Sequence, residues 1–193
     1  MGSRGPKKGI KATPLPPSAG GDRNAFADWH TDMEAEYQRL RAKHFKDGVK
    51  TGKKTKEERE SEAKALMELR KEMPNSKIVI QGLSQHIKDK LGTSADSVIL
   101  SASTYAKQMH NHPDITPSKY ASLLGKIKDS KISYQQPLPQ HIGIVLEDGK
   151  RYAAILKATE HSQVYLVSLY EISGKSLKRF QVDKNKMAAP GRP

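Results

Sequence analysis

Two histidines and a lysine in one short segment give this chain its clearest chemical signal. Lys107, His110 and His112 lie close together, directly before Pro113. Imidazole titrates near neutral pH and can act as a general acid or base, and an ammonium group stabilises negative charge on phosphate oxygens. These groups suit the cleavage of RNA by transesterification, in which a base activates the 2′-hydroxyl and an acid protonates the leaving 5′-oxygen.

A second group of polar side chains lies in a hairpin predicted between residues 151 and 172. Alternation places Lys157 and Thr159 on one face of the first strand, and Ser168 and Tyr170 on one face of the second. A cation and hydroxyls on a sheet can position a phosphate opposite the histidines. The alternative for these residues is an ordinary solvated sheet face.

A pair of histidines can also bind a metal ion. Their spacing differs from the i, i+4 pair of helical zinc motifs, and Asp114 is the only carboxylate beside them in sequence. On a continuous helix the two rings would point to different sides, but Pro113 disfavours helix for the residue before it, so we expect His112 to be already extended. We therefore expect no metal and no cofactor. The structural alternative is that one histidine bonds the helix end and the other is exposed.

The second half of the chain has the periodicity and turn signals of an α+β domain. Pro117 suits the first turn of a helix, and Asp148-Gly149 is a tight-turn signal between strands. Helices are predicted over 83–91, 103–110 and 116–128, and strands over 77–80, 97–100, 131–135, 141–147, 151–159 and 163–172. Helices followed by a meander indicate a small domain with helices packed on a curved antiparallel sheet.

The first half is predicted to be helical beyond a disordered basic arm. A helical period runs from 22 to about 45, and Thr55 with Glu58 forms a capping-box pattern before a second helix that ends at Pro74. The apolar stripe of these helices needs a partner, either the following domain or another protein; Trp29 is its packing anchor. The predicted organisation is an arm, a helical extension, an α+β domain and a basic tail, over 1–21, 22–75, 76–174 and 175–193.

The charge of the chain favours a nucleic acid as partner. It has 34 Lys and Arg against 21 Asp and Glu, a net charge of +13, concentrated in residues 1–20, 38–60 and 175–193. Such segments neutralise phosphates without reading sequence; a purely solubilising charge is the alternative. The candidate nucleic-acid contacts are Lys7, Lys8, Lys11, Lys50, Lys53, Lys54, Arg151, Lys178 and Arg179.

Composition excludes several other classes of function. The chain has no cysteine, which excludes disulfides, zinc–thiolate sites and a thiol nucleophile. No run approaches the ~20 apolar residues that span a bilayer, and the basic N-terminus is not followed by the apolar segment of a signal peptide.

The second half also resembles a known family. The matching residues are Lys107, Tyr120 and the segments VILS at 98–101, HNHPDI at 110–115, RYAAILKAT at 151–159 and VYLVSLY at 164–170. Over about residues 77–173 the chain is similar to the phage-associated nuclease domains of the barnase–EndoU–colicin–RelE-like superfamily. The resemblance implies a small α+β domain with a metal-independent, RNase-like site between helix and sheet.

On this resemblance the helix-side candidates are Lys107, His110 and His112, and the sheet-side candidates are Lys157, Thr159 and Ser168. The chain departs from a barnase-type site in one respect, because its hairpin has no Glu paired with a late His.

Our first hypothesis is a phage or prophage protein with a nuclease domain that acts on RNA rather than DNA, found in the virion or the host cytoplasm. The alternative is a non-enzymatic virion protein, structural or ejected, that binds nucleic acid through basic arms and docks to capsid or portal through helices 22–73. A third option is a toxin-like domain that inhibits a host protein through its sheet edge.

Overall fold

The computed structural model describes residues 13–14, 23–130 and 133–173, so most of both predicted basic arms and the first two residues of the strand predicted at 131–135 lie outside it. The helices are α1 (Arg23–His44), α2 (Lys56–Glu72), α3 (Gln85–Leu91), α4 (Ala102–Asn111), α5 (Pro117–Gly125) and a 3-10 turn at Ile127–Asp129. The strands are β1 (Thr13–Pro14), β2 (Lys77–Gln81), β3 (Ser97–Ser101), β4 (Ser133–Gln135), β5 (His141–Asp148), β6 (Lys150–Ala158) and β7 (Val164–Glu171).

The strands form one mixed sheet in the order β1-β2-β3-β7-β6-β5-β4. The α+β class is confirmed, and β2–β3 and β7–β6–β5–β4 are antiparallel as predicted. The prediction of a purely antiparallel sheet is wrong at β3 and β7, which run parallel through Val98–Val164 and Ile99–Tyr165; the two-residue β1 is also parallel to β2. The long connection through α4, α5 and three strands returns β7 in the direction of β3.

The two faces of the sheet have different surroundings. One face, here called the inner face, carries Ile144, Leu156 and Leu166 and packs in a single core with the helices. The opposite outer face carries a smaller apolar cluster that includes Val145 and Ile155. Strand alternation assigns each polar side chain of β5, β6 and β7 to one of these faces.

The N-terminal helices pack on the rest of the domain. Phe26 of α1 stacks on Tyr120 of α5 with ring centroids 6.1 Å apart. Trp29 lies 5.2 Å from the ring of Tyr105 in α4, and its indole Nε1 donates to Ser76 Oγ at 2.9 Å. Helices α1 and α2 therefore share the main core with α4 and α5, and the partner that their apolar stripe needs is the following domain.

Local signals in the sequence fix several element boundaries. The predicted capping box is confirmed, because Thr55 Oγ1 accepts from Glu58 N at 3.1 Å and Glu58 Oε2 accepts from Thr55 N at 2.8 Å. Ser101 caps α4, and Pro117 occupies the first turn of α5. Gly149 takes a φ of +74° in the turn between β5 and β6, which glycine adopts without strain.

A close approach between β4 and β5 fixes part of the outer face. Tyr134 lies directly opposite Gly143 in the register of the two strands. A Cβ at position 143 would overlap the Tyr134 ring. The buried Tyr134 side chain thus occupies the space that the missing side chain of Gly143 leaves.

Replacing Gly143 with alanine should lower the free energy of unfolding by about 1–3 kcal/mol, because the new methyl group overpacks a filled site. Urea denaturation measures the change. Gly125→Ala is the matched control, since nothing lies within 4 Å of its added Cβ. Equal stability of the two variants would contradict the packing described for Tyr134.

Candidate active site

Three of the predicted site residues, Lys107, His112 and Ser168, lie where α4 runs along the edge of β7. Strand β3 pairs with β7 only at Val164 and Tyr165, and α4 follows β3 directly. We call the region formed by Lys107, Gln108 and His112 together with residues 167–170 the α4–β7 junction. Backbone groups on an uncovered strand edge need hydrogen-bond partners, and side chains of α4 supply them here.

Gln108 is the central residue of the α4–β7 junction and is only 2% exposed. In the orientation of the side-chain amide that gives both its nitrogen and its oxygen a partner, Nε2 donates to Leu169 O at 3.0 Å and Oε1 accepts from Leu169 N at 2.8 Å. The side chain imitates the pairing of a missing neighbouring strand. Lys107 adds a third bond, because its Nζ donates to Val167 O at 2.9 Å.

His112 ends α4 and faces the last residues of β7. Its ring stacks beside Tyr170, with centroids 6.1 Å apart and an interplanar angle of 24°. Burial lowers the pKa of His112; Asp114 opposes this shift and the Lys107 ammonium adds to it. The imidazole is therefore neutral near pH 7 and can accept a proton.

Ser168 reaches the junction through an irregularity in β7. The register with β6 shifts between Ile155 and Leu156, so that Val167 is an extra residue beside Ser168. Such bulges re-aim side chains and are frequent near active sites. The Ser168 hydroxyl lies 3.4 Å from the Gln108 amide, which places it beside α4.

Lys107 is a half-buried cation at the same junction. Burial lowers its pKa, and the nearby charge of Arg70 lowers it further. Since its Nζ is fixed on a backbone carbonyl of β7, Lys107 both holds the helix in place and puts positive charge beside His112.

His110 points away from this junction toward α2. Its Nε2 lies 2.9 Å from Glu62 Oε1, and its ring stacks on Phe45 at a centroid distance of 5.1 Å. Lys54 also pairs with Glu62. The two histidines thus point to different sides, and His112 is already non-helical, with a φ of −133° and a ψ of 59°. The structure does not bring His110 together with His112.

Lys157 and Thr159 lie farther along β6. Lys157 is exposed, stands opposite Tyr165, and shares the outer face with Ile155, one row from Ser168. Thr159 follows the end of β6, where its Oγ1 accepts from Gln163 N at 3.2 Å. The Thr159 hydroxyl is therefore used in the β6–β7 turn.

The candidate nucleic-acid contacts are dispersed. Lys50 pairs with Glu58, Lys54 with Glu62, and Arg151 with Glu147 at 3.2 Å. Lys53 is exposed. The remaining candidates, which are Lys7, Lys8, Lys11, Lys178 and Arg179, lie outside the described residues.

A cleft beside the junction, formed by α1, α4 and the start of α5, is a feature that the sequence reasoning missed. His112 lines it together with His30, Glu34, Tyr105 and Tyr120, around a volume of about 220 Å³. The i, i+4 spacing of His30 and Glu34 was the available signal. Nothing local in the sequence indicates that α4 supplies the opposite wall.

Three side chains of this cleft form a hydrogen-bonded series. The Tyr105 hydroxyl bonds to His30 Nδ1, and His30 Nε2 lies 3.2 Å from Glu34 Oε2. Burial lowers the pKa of His30 more than Glu34 raises it. Burial also raises the pKa of the Tyr105 and Tyr120 hydroxyls well above their usual range, so both remain protonated donors.

Within residues 13–14, 23–130 and 133–173, no group of three or more His, Asp or Glu side chains has a geometry that could hold a metal ion. No helix in the described part of the chain is long and apolar enough to cross a membrane. Comparison of the chain with protein-family models, curated proteins and solved structures gives no match.

Gln108→Ala should lower the free energy of unfolding by about 2 kcal/mol or more, because it leaves two backbone groups of Leu169 without partners at a buried edge. Urea denaturation measures the loss. Gln85→Ala is the control, since its amide bonds only to Asp89 on the exposed surface of α3. A Gln108 variant as stable as the control would contradict the edge pairing.

Acid should destabilise the fold through His30 and His112. Both have folded-state pKa values below the ordinary 6.5, so the unfolded chain binds protons more readily and stability falls as the pH drops through about 6.5. Urea denaturation measures the free energy of unfolding between about pH 7.5 and pH 5. The His30→Gln/His112→Gln double variant should lose less of this free energy on acidification than the wild type does. His161→Gln, at an exposed position, should retain the wild-type slope. An unchanged slope in the double variant would contradict the assignment.

Proposed function

We propose that this protein is a metal-independent, RNase-like nuclease of the phage-associated kind, which cleaves RNA by acid/base transesterification at the α4–β7 junction. The observation that carries the proposal is the meeting there of Lys107, His112 and Ser168. These three residues lie on a helix end and on a strand that are far apart in the chain.

Each residue at the junction has a role that its environment supports. His112, neutral near pH 7, takes the proton of the 2′-hydroxyl, whose oxygen then attacks phosphorus. Tyr170 stacks beside His112, and its hydroxyl donates a proton to the leaving 5′-oxygen. The products are a 2′,3′-cyclic phosphate and a 5′-hydroxyl. Proton exchange with water then returns His112 to its neutral form and Tyr170 to its protonated form, so protons and bonds balance without a cofactor.

Cations and hydroxyls stabilise the negative charge that develops on phosphorus. Lys107 contributes a fixed positive charge beside His112, and the Ser168 hydroxyl can donate to a non-bridging oxygen. Lys157, exposed on the outer face, extends the positive surface toward the next phosphate. The net charge of +13 attracts a polyanion and makes binding sensitive to salt.

A non-enzymatic nucleic-acid-binding virion protein is the second candidate. The observation that favours it is the distribution of charge, because residues 1–20 and 175–193 are strongly basic whereas Lys50, Lys54 and Arg151 are paired with acids. Such a protein binds RNA and DNA alike and releases no product.

Purified full-length protein should cleave tRNA and mRNA in EDTA and leave 2′,3′-cyclic phosphate ends. His112→Ala should lower the rate by about 10²–10⁴-fold, the usual contribution of a general base. His110→Gln is the matched control and should keep most of the activity, because His110 contacts Glu62 away from the junction. Gel analysis of end-labelled RNA measures both rates.

A substrate with a single 2′-deoxynucleotide at the cleaved position tests the chemistry separately, since it lacks the attacking hydroxyl and should stay intact there. Folded wild-type protein that cleaves no RNA would overturn the nuclease proposal. Salt-sensitive binding without product would then support the virion protein. Equal activity of the His112→Ala variant and the wild type would show that His112 is not the general base.

A further inference from the structure

We infer that the cleft between α1, α4 and α5 binds the nucleobase beside the cleaved phosphodiester, and that it selects bases that carry an exocyclic amino group. The inference rests on the proposed function, to which it adds a substrate preference. It depends on the shape of the cleft, on its polar groups, and on one residue that the cleft shares with the α4–β7 junction.

The size and lining of the cleft suit a single heterocycle. Its volume of about 220 Å³ is below the ~300–1,000 Å³ of sites for drug-sized ligands. Three tyrosines and two imidazoles line it, namely Tyr37, Tyr105, Tyr120, His30 and His112. Proteins that recognise single-stranded RNA hold unstacked bases against aromatic faces of this kind.

Glu34 supplies the base preference. Among the described residues that line the cleft it is the only carboxylate, and its side chain is 51% exposed. His30 holds one of its oxygens, and Tyr105 in turn holds His30. A carboxylate accepts hydrogen bonds from the amino groups of adenine, cytosine and guanine. Uracil has no amino group, and its one donor on that edge, the ring N3–H, is flanked by two carbonyl oxygens that a carboxylate repels.

Tyr120 adds a second reason to expect a polar ligand. Tyr120 lines the cleft, and its buried hydroxyl has no hydrogen-bond partner within the part of the chain that the structure describes. Buried hydroxyls without a partner are uncommon in folded proteins. A base whose edge carries acceptors would give this donor a partner.

His112 connects the cleft to the chemistry. The same imidazole lines the cleft and stacks beside Tyr170 at the α4–β7 junction. A base in the cleft therefore brings its own ribose, and with it the 2′-hydroxyl, to the residue proposed as general base. Without α1 this wall of the cleft would be absent, so the N-terminal helix takes part in substrate recognition.

Binding of free nucleosides to the full-length protein tests the cleft without requiring turnover. Saturation-transfer NMR with adenosine, cytidine, guanosine and uridine should show uridine binding about fivefold or more weakly, the loss of roughly one hydrogen bond. Glu34→Gln should reduce this discrimination, because an amide can also donate to a uracil carbonyl.

A blocking variant separates the cleft from the rest of the surface. Gln38 is exposed and lines the cleft, so Gln38→Phe should fill it and weaken nucleoside binding about tenfold without disturbing the core. Ala35→Phe is the matched control, at an exposed position of α1 that does not line the cleft, and should bind as wild type does.

The outcomes distinguish this inference from the proposed function. If the Gln38→Phe variant cleaves RNA with an unchanged base preference and binds nucleosides as the wild type does, the cleft is not the base site, and the nuclease proposal still stands. If the wild type cleaves no RNA but binds nucleosides, and Gln38→Phe abolishes this binding, the nuclease proposal is wrong and the cleft is still a base-binding site. Equal binding of all four nucleosides would remove the role of Glu34.

Discussion

Strand β7 loses its β3 neighbour after Tyr165, and the backbone groups beyond that point need partners. The Gln108 amide pairs with both groups of Leu169, and Lys107 bonds to Val167 O. This substitution of a helix for a strand fixes the distance and orientation of α4 relative to β7. It also brings His112 beside Tyr170, so the candidate catalytic groups depend on a structural contact one turn away.

Helix α1 packs against α4 and α5 and adds a wall to the cleft beside the α4–β7 junction. Phe26 packs against Tyr120 and Trp29 against Tyr105, which holds α1 against α4 and α5. His30 and Glu34 follow on the same helix and complete the cleft. A segment that the sequence presents as an extension thus becomes a wall of a potential binding site.

Local signals made much of the architecture predictable from sequence. The capping box at Thr55 and Glu58, the turn at Asp148-Gly149 and the first-turn Pro117 each act over a few residues, and the element boundaries follow them closely. Parallel pairing of β3 with β7 was not predictable in the same way, because no local pattern specifies which strands separated by intervening elements become neighbours.

In the candidate site, too, features set by neighbouring residues were predictable, whereas contacts between distant segments were not. Pro113 predicts that His112 leaves the helix, but not that Glu62 contacts His110 or that Tyr170 lies beside His112. Thr159 carries a suitable hydroxyl, yet the β6–β7 turn uses it. The cleft joins helices distant in sequence and has no signature in the spacing of its residues.

The order in which the chain is synthesised gives the α4–β7 junction a further consequence. Lys107 and Val167 are 60 residues apart, and β7 is the last strand that the structure describes. While the chain is still emerging from the ribosome, α4 has no strand to lie against, and His112 has no Tyr170 beside it. The contacts that fix the α4–β7 junction therefore form only after β7 has been synthesised, at least 60 residues later than Lys107.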